Sequence, residues 1–205
     1  MSRLPIRFPT IPLLAAALAA CGATAAAPPA GMQPAPATAD TARARHSPAD
    51  AQFMRHMMAH HAQARVMAAL VPERTTRPEI RLIAERIDVS QDDEMKQMQR
   101  WLRNRGEPAG DAHAGHGTMP GMISEADLAR LAAARGAEFD RLFLELMIRH
   151  HEGAVAMVAE LLATAGAARE TETYRFASDV NADQRAEIVR MRTLLGTLSS
   201  AVPRG

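Results

Sequence analysis

The stretch FLELMIRHHEGAVAMVAE, residues 143–160, decides the fold, because a second copy of its pattern, FMRHMMAHHAQARVMAAL, occupies residues 53–70. A shift of 90 positions superposes the two copies, including an adjacent pair of histidines and the methionines on either side of it. The coinciding residues are Phe53 and Phe143, Met57 and Met147, His60 and His150, His61 and His151, Ala64 and Ala154, and Met67 and Met157. An internal repeat of this kind predicts two copies of one supersecondary unit.

Each copy belongs to a predicted pair of helices. Ser47 is a good N-cap for the first helix, and Pro48 suits its first position. Helices are expected over residues 48–70, 78–106, 124–135, 137–165 and 169–198. The hairpin repeats therefore span residues 47–106 and 124–200, and a loop rich in Gly and Pro joins them at residues 107–123.

The composition of the 205-residue chain predicts an all-α fold. Hydrophobic residues make up 47% of the chain, but aromatic residues only 3%, whereas β-strands favour aromatic and β-branched residues. Two amphipathic hairpins bury their apolar faces best against each other, which predicts a four-helix bundle over residues 47–200. The helix order stays open: the two helices with paired histidines can be adjacent and antiparallel, or diagonal and parallel.

The N-terminus has the form of an export signal. Arg3 and Arg7 precede the apolar run IPLLAAALAA at residues 11–20, which is too short to span a bilayer. The sequence LAAC that ends at Cys21 resembles the bacterial lipoprotein lipobox. Residues 1–20 are therefore interpreted as a lipoprotein-type signal peptide, with Cys21 as the lipidated residue.

An ordinary signal peptide, cleaved near residues 25–27, is the alternative. In either case, residues 21–46 are rich in Ala, Pro and Thr without apolar periodicity, which predicts a flexible tether. We expect a protein of the periplasm or cell envelope, held at the membrane by an N-terminal lipid anchor.

Charge and cysteine content exclude several classes of function. The chain has 24 basic and 23 acidic residues, so no excess of positive charge predicts nucleic-acid binding. A single cysteine allows no disulfide within the chain, and a metal site would lack thiolate. No Gly-rich phosphate loop is present, and no organic cofactor is expected.

The paired histidines lie on the apolar face of their helix. At about 100° per residue, Met147 falls between His150 and His151 on a helical wheel, and Arg149 and Glu152 lie on the opposite side. A buried imidazole without a partner costs about 1–3 kcal/mol, so each ring needs one. Hydrogen bonds from the neighbouring helices are one solution. The candidate partners are Gln91, Glu94, Gln184 and Glu187.

A metal ion is the other solution. Neutral imidazole binds copper, zinc, iron and nickel, and thioether sulfur adds a preference for Cu(I) in a site without cysteine. The predicted core ligands are His60, His61, His150, His151, Met57, Met67, Met147 and Met157. Other methionines are interpreted as core filler, namely Met54, Met58, Met95 and Met98. The expected metal is copper, as Cu(I), Cu(II) or both.

The loop provides a second, separate signal. The stretch HAGHGTMPGM at residues 113–122 spaces four potential ligands three residues apart. They are His113, His116, Met119 and Met122. A Gly-rich segment with this ligand set can wrap a copper ion, although a solvated linker of accidental composition is the alternative.

No catalytic residues are predicted. A ferritin-like di-iron centre would need Glu-x-x-His pairs, but Glu94 is followed at i+3 by Gln97, and Glu187 by Arg190. The zinc-protease pattern His-Glu-x-x-His is also incomplete after His151. We therefore expect a binding protein without turnover.

The two histidine stretches resemble the signature of the bacterial "domain of unknown function 305" family of exported proteins, over about residues 47–198. The resemblance implies a ferritin-like four-helix bundle, an envelope location, and copper binding or tolerance in some members. As metal ligands, the four paired histidines are best supported by the resemblance, and the four repeat methionines come next. The first copy departs from the pattern, because His56 replaces the apolar Leu146 and Gln63 stands where the second copy has Gly153. Two interpretations of His56 stay open, an extra ligand or an exposed residue on the flank of the helix.

Three functions remain open at this point. The first is copper binding and sequestration, or copper transfer, in the periplasm through His and Met ligands. The second is a metal-dependent oxidoreductase in which Glu94 and Glu187 complete the coordination. The third is a scaffold whose histidines are only hydrogen-bonded. The protein partner, the oligomeric state and the number of metal sites are not predicted.

Overall fold

A computed structural model describes residues 46–109 and 119–200, and within these ranges all regular structure is helical. The helices are α1 (Pro48–Ala69), α2 (Val71–Arg74), α3 (Pro78–Arg105), α4 (Glu125–Ala133), α5 (Gly136–Ala163) and α6 (Thr171–Ser200). The predicted leader, Cys21, nearly all of the tether, and His113 and His116 lie outside the described residues. None of the described helices combines the length and the apolar composition that crossing a membrane requires.

Local signals place the helix ends close to their predicted positions. Ser47 and Asp50 form a capping box: the Ser47 hydroxyl accepts from the Asp50 N–H at 3.1 Å, and the Asp50 carboxylate accepts from the Ser47 N–H at 2.7 Å. Gly106 ends α3 with a left-handed φ of 69°. The short helix α2 between the first two long helices is a feature that the sequence patterns did not predict.

The helices α1 and α5, which carry the paired histidines, are adjacent and antiparallel. At one end of the bundle, Asp50 of α1 accepts a hydrogen bond from the backbone N–H of Ala168, which follows α5. At the other end, Arg77, which follows α1, donates to Asp140 of α5 at 3.0 Å. This arrangement confirms one of the two helix orders that the sequence left open.

Helices α3 and α6 complete the bundle. Helix α3 packs on α1, and α6 packs on α5, so each repeat forms a hairpin. Trp101, near the end of α3, donates to Thr173, near the start of α6, at 3.1 Å. Helices α3 and α5 therefore run in the same direction, and their connection crosses the length of the bundle. A four-helix bundle with one long crossover has the ferritin-like arrangement that the resemblance implied.

Two apolar clusters fill the bundle, one on each side of the paired histidines. The first cluster includes Met67 of α1 and Phe143 of α5, and helix α4 contributes Leu131. The second cluster includes Phe53 of α1 and Met157 of α5, together with residues of α3 and α6. Because α1 and α5 are antiparallel, the early part of each helix packs near the late part of the other.

Residues 119–124 of the crossover form a strap that lies across α1 and α5. Gln63 of α1 holds it through both groups of its amide, which donates to the Ile123 carbonyl at 2.9 Å and accepts from the Ile123 N–H at 2.8 Å. On α5, Gly153 lets the strap approach closely: a Cβ there would lie 2.1 Å from the carbonyl oxygen of Pro120. The strap therefore explains why the two repeats differ at this position, with Gln63 in one and Gly153 in the other.

Replacing Gly153 by Ala should destabilise the bundle, because the added methyl group meets the strap backbone, which cannot move without breaking the Gln63 contacts. We expect the free energy of unfolding to fall by about 1–3 kcal/mol, measured by urea denaturation followed by circular dichroism. Gly196 of α6 is the matched control, since a Cβ there meets nothing within 4 Å. Gly196→Ala should leave stability unchanged or raise it by up to about 1 kcal/mol. Equal stabilities of the two variants would contradict the close packing of the strap.

Candidate metal centre

The four paired histidines meet in one layer between the two apolar clusters. Their side chains have no exposed surface, and they come from the middle of α1 and α5. The rings of His60 and His150 face each other across the antiparallel helices, with centroids 3.8 Å apart, and the rings of His150 and His151 are 6.3 Å apart. The repeat therefore builds one histidine layer, which consists of His60, His61, His150 and His151.

Three histidines of the layer are anchored by hydrogen bonds through their Nε2 atoms. His61 donates to the carboxylate of Glu94 on α3, and His151 donates to that of Glu187 on α6 at 2.7 Å. His60 donates to the backbone carbonyl of Pro120 in the strap at 3.1 Å. Because carboxylate and carbonyl oxygens accept, Nε2 carries a proton in each of these three rings.

Several polar atoms around the layer have no partner among the described residues. They are Nδ1 of all four histidines, Nε2 of His150, both amide atoms of Gln91 and Oε1 of Gln184. Of the candidate hydrogen-bond partners, the two glutamates are confirmed and the two glutamines do not bond to the histidines. Among the described residues, hydrogen bonds thus reach only one nitrogen in each of three histidines of the layer, and neither nitrogen of His150 has a partner.

Burial keeps the central rings neutral. The pKa of His60 is lowered to about 3, mainly by desolvation. The neighbouring His61 ring also lowers this pKa, and its effect is larger than the opposite effect of the hydrogen bond to Pro120. Desolvation also holds the pKa of His150 well below its ordinary value, with His60 as the next cause. A neutral imidazole has a lone pair to donate, so both rings are in the protonation state that a metal ligand needs.

The hydrogen bonds of the layer match those that orient metal-binding histidines. Such a histidine commonly donates its other ring N–H to a carboxylate or a carbonyl, which fixes the tautomer and increases the basicity of the ligand. His60, His61 and His151 make this donation, and their free nitrogens lie inside the layer. In the described part of the chain, however, no three His, Asp or Glu side chains converge on one point. A metal ion in the layer would need ring reorientation or a further donor.

The repeat methionines divide into two groups. Met57 and Met147 precede the histidine pairs by three residues, so they lie within one turn of the layer on the same face. Met67 and Met157 follow His60 and His150 by seven residues, or about 10 Å along the helix axis. All four side chains are buried in the apolar clusters. Helical spacing therefore puts Met57 and Met147 within one turn of the layer, and Met67 and Met157 about two turns from it.

The predicted loop ligands are also divided. Met119 is buried at the start of the strap, and Met122 packs half-buried against the second apolar cluster.

Met119 contributes to a surface cleft of about 310 Å³ between α1, α5 and the strap. Its lining includes Phe53, His56, Met119, Pro120, Met157 and Glu160. We call it the strap cleft. His56, which the sequence left as either an extra ligand or an exposed flank residue, is half-buried and lines this cleft.

Comparison with known proteins supports the family resemblance. The family model "Domain of unknown function (DUF305)" matches residues 50–195. The structure of a DUF305 fragment from Deinococcus radiodurans is similar, with 39% identity, a TM-score of 0.67, and coverage of 74% of this chain and 98% of that one. A DUF305 protein from Streptomyces coelicolor, described as a candidate secreted protein, has 30% identity, a TM-score of 0.66, and coverage of 74% and 94%.

The chain is also similar to CopM in its Cu(II)-bound form, with 31% identity and a TM-score of 0.61. The alignment covers 72% of this chain and 96% of CopM. CopM has further been solved with Cu(I) and with silver. No curated protein matches the chain.

Acid should destabilise the metal-free protein partly through His60. Its pKa is about 3 when folded but close to 6.5 when unfolded, so between these values the unfolded chain binds more protons and stability falls as the pH falls. Replacing His60 by Gln should reduce the loss of unfolding free energy between pH 7 and pH 5 by about 2 kcal/mol. Urea denaturation with a chelator present measures this difference, and comparison at pH 8 and pH 9, where the ring is neutral in both states, is the control. Parallel pH profiles of the two proteins would contradict the lowered pKa.

Proposed function

This chain belongs to the DUF305 family, and we propose that it is an exported copper-binding protein that sequesters or transfers copper through His and Met ligands. The observation that carries the proposal is the contact between His60 and His150. Two neutral imidazoles from the two repeats face each other, each with an unpartnered nitrogen, in the buried centre of the bundle. Leaving such nitrogens unbonded costs free energy, which a bound metal ion would recover.

The donor set of the layer suits copper. Imidazole nitrogen binds both copper oxidation states, and the thioethers of Met57 and Met147 within one turn favour the softer Cu(I). In the proposed site, His60 and His150 bind the metal from opposite helices, and Met57 or Met147 adds sulfur. His61 and His151 complete the set of possible donors, with Glu94 and Glu187 holding their rings.

The copper and silver forms of CopM support the same choice of metal. That protein shares the fold over most of its length and is recorded with Cu(I), Cu(II) and silver. Silver is a soft ion that resembles Cu(I) in its preference for sulfur and nitrogen donors. The identity with CopM is close to 30%. The ligands proposed for this chain are therefore chosen from its own histidine layer and are not transferred from CopM.

The proposed location is the periplasm or the outer side of the cell envelope. Support comes from the arginines, the short apolar run and the LAAC sequence of the leader. Lipidation of Cys21 would tether the bundle to a membrane through residues 22–46.

Mass spectrometry of the mature protein should show a diacylglycerol-modified N-terminal Cys21. An unmodified N-terminus near residues 25–27 would support an ordinary signal peptide instead.

Replacing both His60 and His150 by Leu should remove the layer site. We expect the variant to bind one copper ion fewer than the wild type, or to bind that ion at least about tenfold more weakly. Competition titrations with Cu(I) under reducing conditions and with Cu(II) in air measure both quantities, with Zn(II) alongside. His46→Gln is the matched control, since His46 is hydrogen-bonded to Glu107 away from the layer.

Other outcomes of the same titrations would select another function. Unchanged stoichiometry and affinity in the double variant would mean that the layer histidines are only hydrogen-bonded. Metal-dependent consumption of O2 or peroxide by the wild type would instead support an oxidoreductase. Replacement of His113, His116, Met119 and Met122 tests the predicted loop ligands.

A further inference from the structure

We propose that the strap cleft is a second metal site, in which His56, Met119 and Met157 bind a soft monovalent cation such as Cu(I) or Ag(I). Neither the repeat nor the loop pattern groups these three residues. They come from α1, the strap and α5, and only the fold brings them to one cleft. The inference deepens the proposed function and rests on it for the identity of the physiological metal.

The two methionines that line the cleft are more deeply buried than its histidine. The side chains of Met119 and Met157 are 7% and 6% exposed, whereas His56 is half-buried. Among the described residues, no side chain is hydrogen-bonded to His56, so the ring is available to a ligand. The cleft is open to solvent, so an ion can enter it without the rearrangement that the closed histidine layer requires.

The second repeat shows that the fold does not need a histidine at position 56. The equivalent residue there is Leu146, which is 5% exposed and belongs to the same apolar cluster as Leu131 of α4. In the second repeat, an apolar side chain at this position is therefore part of the core. In the first repeat, His56 takes the place of leucine and lines the strap cleft.

The donors of the cleft select a soft cation. Two thioethers and one imidazole, without thiolate, have little affinity for hard ions such as Mg²⁺ or Ca²⁺, which prefer oxygen ligands. Thioether sulfur favours Cu(I) among the biological metals. The exposed carboxylate of Glu160 at the rim adds negative charge that attracts any cation but does not determine the choice of metal.

The position of the cleft connects it to the histidine layer. Pro120 lines the cleft, and its carbonyl oxygen accepts the hydrogen bond from His60. Met157 lies two turns along α5 from His150. An ion held in the cleft is therefore separated from the layer by the strap residue to which His60 is bonded.

Silver titration of the full chain with methyl-labelled methionine tests the site. Ag(I) is redox-inert and mimics Cu(I), and the methyl resonances of the 13 methionines report each sulfur separately by NMR. Met119→Leu and Met157→Leu assign their own signals. We expect these two resonances to shift on addition of Ag(I), while that of Met54, buried in the second apolar cluster, stays in place.

Replacing His56 by Leu, the residue of the second repeat, should weaken binding in the cleft at least about tenfold without unfolding the bundle. Met54→Leu is the matched control, because it removes a nearby buried thioether outside the cleft and should leave the affinity unchanged. If the Met119 and Met157 resonances do not move up to saturation, or if His56→Leu binds like the wild type, the cleft site is wrong.

The double variant His60→Leu with His150→Leu separates the two proposals. If it keeps the shifts of Met119 and Met157 but binds one ion fewer, both sites exist. If it keeps the shifts and binds as many ions as the wild type, the cleft stands and the layer site fails. If the layer variant loses an ion but the wild type never shows the two methionine shifts, the layer stands and the cleft fails.

Discussion

The contact of His60 with His150 is the constraint on which the rest of the structure depends. This contact lies in a layer of four buried histidines, and three of these polar rings find hydrogen-bond acceptors on neighbouring elements. Helices α3 and α6 supply Glu94 and Glu187, and the strap supplies the Pro120 carbonyl. The bonds to Glu94 and Glu187 thus fix the register within each hairpin. The contact of His60 with His150 aligns the two hairpins, because a shift by one turn would separate these two rings.

The histidine layer and the strap cleft differ in their exposure to solvent and in their donor atoms. The layer is closed and surrounded by apolar clusters, a site in which an ion would be held tightly and exchange slowly. The strap cleft is open and rich in sulfur, a site from which an ion can exchange readily with solvent. In a protein that handles copper, such a pair would combine capture at the surface with storage inside. The departures from repeat symmetry at His56, Gln63 and Gly153 all concern the strap or its cleft.

Much of this structure could be predicted from the sequence because the signals are local. Periodicity predicted the four long helices, caps such as Ser47 and Gly106 predicted their ends, and the repeat predicted the hairpins. The partners Glu94 and Glu187 followed from helix geometry. The course of the strap could not be predicted, since Pro120 acts through a backbone carbonyl that any residue carries. The helix order could not be predicted either, because a connection of this length permits both arrangements. Only the structure shows that Gln63 and Gly153 hold the connection against α1 and α5.

The strap also has a consequence for the order of folding. Gln63 belongs to the first hairpin and Gly153 to the second, so the seat of the strap exists only after the hairpins have docked. Contacts between distant parts of a chain form slowly, because loop closure costs entropy before they stabilise anything. The strap therefore belongs to the last part of the chain to become native. The Ile123 amide, bonded to Gln63, exchanges its hydrogen only when the strap leaves its seat, which makes it a local reporter of the docked state.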